Sequence, residues 1–392
     1  MHPRVDIVRT ASPIGSTATP GTHAASPLAR TLLDLDSPMR LTTRFSSLLV
    51  VTSFAATACV GEVGGARKPG PHDPQDPVTT TDDTTCSKVE KDVVVRTAAD
   101  MTGLPKTGCY DIYGKLTLQG SGVTSLAGLN GLNSVNELDL DHTSLTAIDT
   151  KRPVGVYGKL SVTGNAKLTN LAKLSFETAS TGILIDGNAA LATLDALGLD
   201  EPKLTEVDGD LAITGNAVLT AVPLKYLSKV TGAVTIAGNA VVKTVDLTAL
   251  TTTGHVELAD NPQLASLTGF AATTINGDFA VRNNAALTTL GTMSSLYRVT
   301  GNLTIDSNAA LTNLAAFTTT VKFVDQTLTI TNNQNLADLG ALKHLQLVGA
   351  IAITNNQNLV VCRATEIDRC VQHPTAAVIT NNKSINCNWQ CN

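Results

Sequence analysis

The chain is poor in aromatic side chains: Phe, Tyr and Trp together make 3% of its 392 residues, with a single Trp. A deep aromatic-lined pocket is not what such a composition builds. There is no basic excess either; the formal net charge of −5 argues against the basic stripe of a nucleic-acid binder, and no nucleic-acid partner is expected. Cysteine is absent between Cys109 and Cys362, which confines any covalent bracing to the two ends. The most apolar leader-like run, Leu48 to Ala58, is too short to span a bilayer, which takes about 20 residues. Phosphate loops and helix-borne metal motifs are missing, and "GSG" at 120–122 lacks the flanks of a nucleophile elbow.

What is present begins with an address. In "MRLTTRFSSLLVVTSFAATACVGE", residues 39–62, Arg40 and Arg44 precede the apolar run, which ends in small residues at Cys59. A charged start, a short apolar stretch and a small-residue cleavage site make a secretory signal, expected over 39–58. "AATAC" at 55–59 resembles a bacterial lipobox, with Ala56 where Leu is commonest. That resemblance implies acylation of Cys59 and an outer-membrane lipoprotein, surface-exposed or facing the periplasm, since no Asp follows Cys59. At roughly 0.8 kcal/mol per buried CH₂, two or more acyl chains hold a protein at a membrane. The alternative is an ordinary secretory signal cut nearby. Residues 1–38 have no periodicity and read as an upstream extension, with Met39 as the start. Residues 59–85, rich in Gly, Pro, Asp and Thr, read as a disordered leash with a reach of roughly 30 Å. His72 and Asp73 within it are not expected to hold a metal.

From there one phrase recurs: "GNLTIDSNAALTNL" at 301–314, "GDLAITGNAVLTAV" at 209–222, "GAVTIAGNAVVKTV" at 232–245. It aligns as G-x-L-x-I-x-x-N-x-x-L-x-x-L, with asparagines at Asn165, Asn188, Asn216, Asn239, Asn261, Asn284, Asn308, Asn333 and Asn356. Ser121 and Thr143 take that place in two earlier copies. A period in the twenties signals a solenoid. Leu303 and Ile305 alternate with polar residues as one inward strand face, while Leu311 and Leu314 fill the following turn. One coil cannot bury these groups, but a stack can. The asparagines are expected to satisfy backbone groups at a bend rather than to bind a ligand. The glycines before the strands, such as Gly158, Gly254 and Gly301, are expected to permit tight corners.

The pattern resembles leucine-rich-repeat solenoids and, more closely, the receptor L domain. The marks are "CYDIYGKLTL" at 109–118, "NNQNLVVC" at 355–362 and the cysteine-bearing ends. The resemblance implies a mainly β, right-handed, β-helix-like solenoid over 86–392, here with about 11–12 rungs. The N-terminal cap is expected over 86–113, with Cys86 and Cys109 bracketing an atypical first coil, and the C-terminal cap over 360–392. Removing Cys59 leaves an even set of six cysteines and suggests disulfides in an oxidising compartment. Cys362, Cys370, Cys387 and Cys391 allow three pairings, of which Cys362–Cys387 with Cys370–Cys391 is preferred. A zinc site is the alternative for these four, although His373 sits at no standard ligand spacing. Ile367, Cys370 and Val371 fall on one helical face as a lid.

Stacked strands would put outward residues in columns, one from Thr117 through Asp139 and Glu257 to Ala352, the next from Gln119 through Asp141 and Arg282 to Thr354. These columns are small, polar and mildly acidic, without the Trp, Tyr and Arg anchors of a tight protein interface. The densest carboxylate group is Glu137, Asp139 and Asp141 beside His142. Paired carboxylates can do acid–base work, but nothing in the sequence desolvates these, and a solvated face is expected. His255 and His344 stand alone. "TLTIT" at 327–331 has the form of an ice-binding array that most other coils break. "NLT" at 302–304 and "NKS" at 382–384 are glycosylation sequons that matter only in a host that uses them. The expectation is therefore no enzyme, no cofactor and no metal: a lipid-anchored recognition, adhesion or structural protein whose solenoid meets a protein or glycan. The rival is a β-helix enzyme acting on polysaccharide.

Overall fold

The computed structural model describes residues 86–175, 178–194, 197 and 204–384. Within them the chain is mainly β, with parallel strands stacked as a solenoid of about twelve coils. The expected leader over 39–58 and leash over 59–85, with Cys59, lie outside the described residues, as do Cys387 and Cys391.

The main sheet follows chain order. Val93–Val95 pairs with Tyr110–Gln119, and that strand with Leu132–Asp141. Lys159–Thr163, Gly182–Asp186, Leu211–Thr214, Val234–Ala237 and Val256–Ala259 come next. Phe279–Arg282, Leu303–Asp306, Phe323–Thr331, Leu347–Thr354 and Val378–Thr380 complete the stack, every pairing parallel. The register is the one the alternation predicts: Thr117 meets Asp139, Glu257 meets Ala280 and Asp306 meets Thr331. A slip of one residue would turn Leu303 and Ile305 to solvent, and that pins each coil to the next. Middle coils add two smaller parallel sheets, one through Glu206–Val207 and one through Thr244–Asp246.

The core runs along the stack. Leu303, Ile305, Leu311 and Leu314 are all fully buried, each worth about 1.5–3 kcal/mol of removed apolar surface. The interior between opposed coil walls is narrow and mostly aliphatic. Tyr110 is buried in the first coils, and three rings cluster farther along, where Phe279 meets Phe270 and Phe317 edge-to-face at 5.6 and 6.2 Å.

Gly209 has the positive φ, 137°, that the corner reading expects, but other glycines before the strands have a different reason. Gly158, Gly254 and Gly301 do not have positive φ. Instead, a Cβ on Gly158 would lie 2.6 Å from the Asn136 carbonyl oxygen, and one on Gly254 2.6 Å from that of Gly232. Close approach of the preceding coil, not a special dihedral, selects glycine there.

Both ends carry disulfides. Cys86 and Cys109 are bonded to each other, closing the first coil, while Ser87–Val89 pairs with Tyr110–Ile112 beside them. At the other end the helix Val361–Cys370 buries Ala364 and Ile367 over the last coils, with Val371 buried just beyond it. Cys362 and Cys370 on this helix are both disulfide-bonded.

Candidate recognition face

The repeated asparagines lie on the inside of the bend that follows the main sheet, all nine fully buried. Each is bonded to the next. The backbone N–H of Asn188 donates to Oδ1 of Asn216 at 3.1 Å, and that of Asn216 to Oδ1 of Asn239 at 3.0 Å. The amide Nδ2 of Asn216 donates backward to the Ile185 carbonyl at 3.0 Å and to Thr214 in its own coil at 2.9 Å. One side chain therefore satisfies backbone groups from its own coil and the one before, while its backbone N–H reaches the coil after. Thr143 heads the column, its N–H and Oγ1 both donating to Asn165 Oδ1 at 2.9 and 2.6 Å. Asn382, which the repeat alignment does not reach, ends it by accepting from Asn356 at 3.1 Å.

The residue before each ladder asparagine is left-handed: Gly164, Gly187, Gly215 and Gly238, then Asp260, Asn283, Ser307, Asn332 and Asn355, with φ between 55° and 67°. Gly, Asn and Asp are the residues that tolerate this region. The recurring "GN", "DN" and "NN" pairs were the signal, and the repeat consensus passes over them.

The acidic cluster is occupied by its own neighbours. Lys115 Nζ is 2.8 Å from Asp139 Oδ2. Asp141 accepts from His142 Nδ1 at 2.6 Å, Thr163 Oγ1 at 3.2 Å and Gln119 Nε2 at 3.3 Å. The His142 ring, helped by Thr163 and Gln119, holds the Asp141 carboxyl below the usual carboxylate range. An ionised carboxylate held low is the opposite of what a general acid near neutral pH needs. His142 also has a packing role, since a Cβ on Gly164 would be 2.5 Å from its Nε2. Farther along, Arg282 pairs with Glu257, His255 stands 3.8 Å from both Glu257 and Asp278, and Arg298 grips Asp325 at 2.7–3.0 Å. Among the described residues no group of three His, Cys, Asp or Glu is placed to hold a metal ion. His373 is held by the carbonyls of Asp368 and Thr375, and the first of these raises its pKa. None of the described helices is long and apolar enough to cross a membrane.

The feature the outward columns do not contain lies at the corner before the sheet. "IYGKL" at 112–116 and "VYGKL" at 156–160 are near-copies. Ile112, Val135 and Val156 pair in register and are buried. Tyr113, Asn136 and Tyr157 therefore follow one another outward across three coils. Tyr113 and Tyr157 are 54% and 57% exposed, the two most exposed aromatics among the described residues. Lys88 Nζ stands 5.2 Å from the centre of the Tyr113 ring. The Tyr157 ring lies back toward Gly155 in its own coil. One coil beyond, Lys159, Thr181, Leu184, Asp210 and Ala212 line a hollow of about 220 Å³.

No family model, no curated protein and no solved structure matches the chain.

Proposed function

We propose that the chain is a non-catalytic recognition or adhesion protein of the cell envelope, lipid-anchored at Cys59, that presents its solenoid to a protein or glycan at the outer membrane. The receptor L-domain resemblance belongs to the same reading. The observation that supports it is the commitment of outward charges to one another across coils: Lys115 to Asp139, Arg282 to Glu257 and Arg298 to Asp325. A catalytic carboxylate pair needs environments that push the two groups apart in pKa. A scaffold needs its charges mutually satisfied and its surface rigid.

The test starts from the native protein in the membrane fraction. Its intact mass should correspond to a chain beginning at acylated Cys59, with thiols appearing only after reduction. The same preparation, assayed for new reducing ends on envelope and plant polysaccharides, should give none, and Asp139→Asn with Asp141→Asn should change nothing. Reproducible cleavage abolished in that double variant would overturn the non-catalytic reading. A mature chain without lipid would overturn the anchor.

A further inference from the structure

The corner that carries Tyr113 and Tyr157 differs from the rest of the surface in three ways. Its rings are exposed, whereas most other described aromatics are buried or packed on neighbours, as Tyr297 is on Phe323 at 5.3 Å. The same sequence, Tyr-Gly-Lys, builds it twice at a two-coil interval. It also runs into the hollow beside Lys159, an exposed lysine that has no ion-pair partner among the described residues, unlike Lys115 in the equivalent position.

These features have a common chemistry. Two strand spacings separate the backbone positions of the two tyrosines by about 9–10 Å, and two sugar units of an extended polysaccharide span a similar length. Tyrosine offers a flat apolar face and a polar tip at little conformational cost, which suits the C–H face of a pyranose ring with its hydroxyl rim. Asn136, exposed between the tyrosines, supplies an amide for the hydroxyls of the unit between them. A protein partner would want a contiguous, dehydrated apolar centre, and here polar residues interrupt the rings. In the hollow, Asp210 turns Oδ1 to the Ala233 N–H of the next coil at 2.8 Å, and Lys159 is the one cation among the lining residues. An ammonium at the end of a line of stacked sugars matches a carboxylate on the sugar chain.

We infer that Tyr113, Asn136, Tyr157 and the hollow at Lys159 form a binding track for an acidic, uronate-containing polysaccharide, with the tyrosines stacking sugar rings and Lys159 taking a carboxylate. This rests on the recognition reading above and narrows its ligand to one class.

The full chain is titrated calorimetrically with oligogalacturonate and with a neutral malto-oligosaccharide of the same length. Oligogalacturonate is expected to bind more tightly, with an affinity that falls as salt rises. Tyr113→Ala with Tyr157→Ala should weaken it at least tenfold, while the paired Tyr→Phe changes, which keep the ring faces, should retain most of it. Lys159→Ala should reduce the acidic-over-neutral preference several-fold. Tyr297→Ala should leave binding unchanged. All of these sites are exposed, and unchanged melting temperatures would show that the variants fold. Unaltered binding in the Tyr→Ala double variant, equal affinity for both oligosaccharides, or no binding of either would overturn the track. Retention of the chain on whole envelopes separates the two levels. A double variant retained as well as the unaltered chain ends this site and leaves the recognition reading standing. An unaltered chain retained by no envelope fraction ends the recognition reading itself.

Discussion

The bend after the main sheet and the wall before it handle buried polarity in opposite ways. After the sheet each coil from Asn165 to Asn356 puts an asparagine inside, bonded on both sides, as Asn239 is to Asn261 through its backbone N–H at 3.0 Å and to the Ile213 carbonyl through its side-chain amide at 2.9 Å. Before the sheet the inward column is aliphatic: Val135, Val156, Ala179, Val207, Val230, then Ile275, Val299, Val324 and Val348. The two side-chain polar atoms that are buried without a partner among the described residues, Tyr110 Oη and Thr253 Oγ1, are both in or next to this wall. Buried polarity is stabilising where the fold repeats the partner along with the group. Where a hydroxyl arrives alone it carries only its desolvation cost.

The sharpest way to break the contrast is Asn261→Ala. It removes the acceptor for the Asn239 N–H and the donor for the Ile236 and Ala259 carbonyls, all near the middle of the stack. The Asn239 N–H is left unpaired while the Ala259 carbonyl keeps the Gly238 N–H; with a buried unsatisfied group at about 1–3 kcal/mol and further bonds lost beside it, the loss should be about 3 kcal/mol. Denaturant titration reads it directly. The same change at Asn382, the half-buried end of the ladder, should cost about a third as much; equal losses would mean the ladder is not the source.

Tyr110→Phe should act in the opposite direction and with a pH signature. Burial pushes the Tyr110 hydroxyl from 10.0 up to about 12. The folded state therefore holds its proton where the unfolded chain has released it, so stability from this group is intact below pH 10 and lost as pH rises toward 12. The loss amounts to at most about 3 kcal/mol. The phenylalanine variant should be slightly more stable at neutral pH and lack this part of the alkaline decline. Parallel alkaline curves for the two proteins would show that the hydroxyl is not isolated.

The contrast also marks what sequence could and could not convey. Alternation at Leu303 and Ile305, with Leu311 and Leu314 in the turn, conveys coil, register and core, because period-two burial leaves no other solution. The ladder's interior position follows from the same spacing. Three things required the coordinates. The left-handed residue before each asparagine changes from Gly164 to Asn332 along the chain, so a consensus that tracks identity rather than backbone tolerance misses it. Asn382 lies beyond the last leucine-bearing copy, across the helix Val361–Cys370. The Tyr113–Tyr157 corner depends on extra residues opposite Asn136 that turn "YG" outward, and a one-face strand template has no place for them.

Thr253→Val is the smallest change and the most direct test of the wall. Val230 and Ile275 occupy the same column in the neighbouring coils, so valine at this position continues a surface already built for it. The swap removes one hydroxyl, 1% exposed and without a partner among the described residues, and replaces it with a methyl of nearly equal size. Relief of an unmade hydrogen bond at about 1 kcal/mol or slightly more, with no cavity opened, predicts a raised denaturation midpoint at unchanged slope. A destabilised variant would mean that the hydroxyl has a bonded role, and the wall would then follow the same rule as the bend.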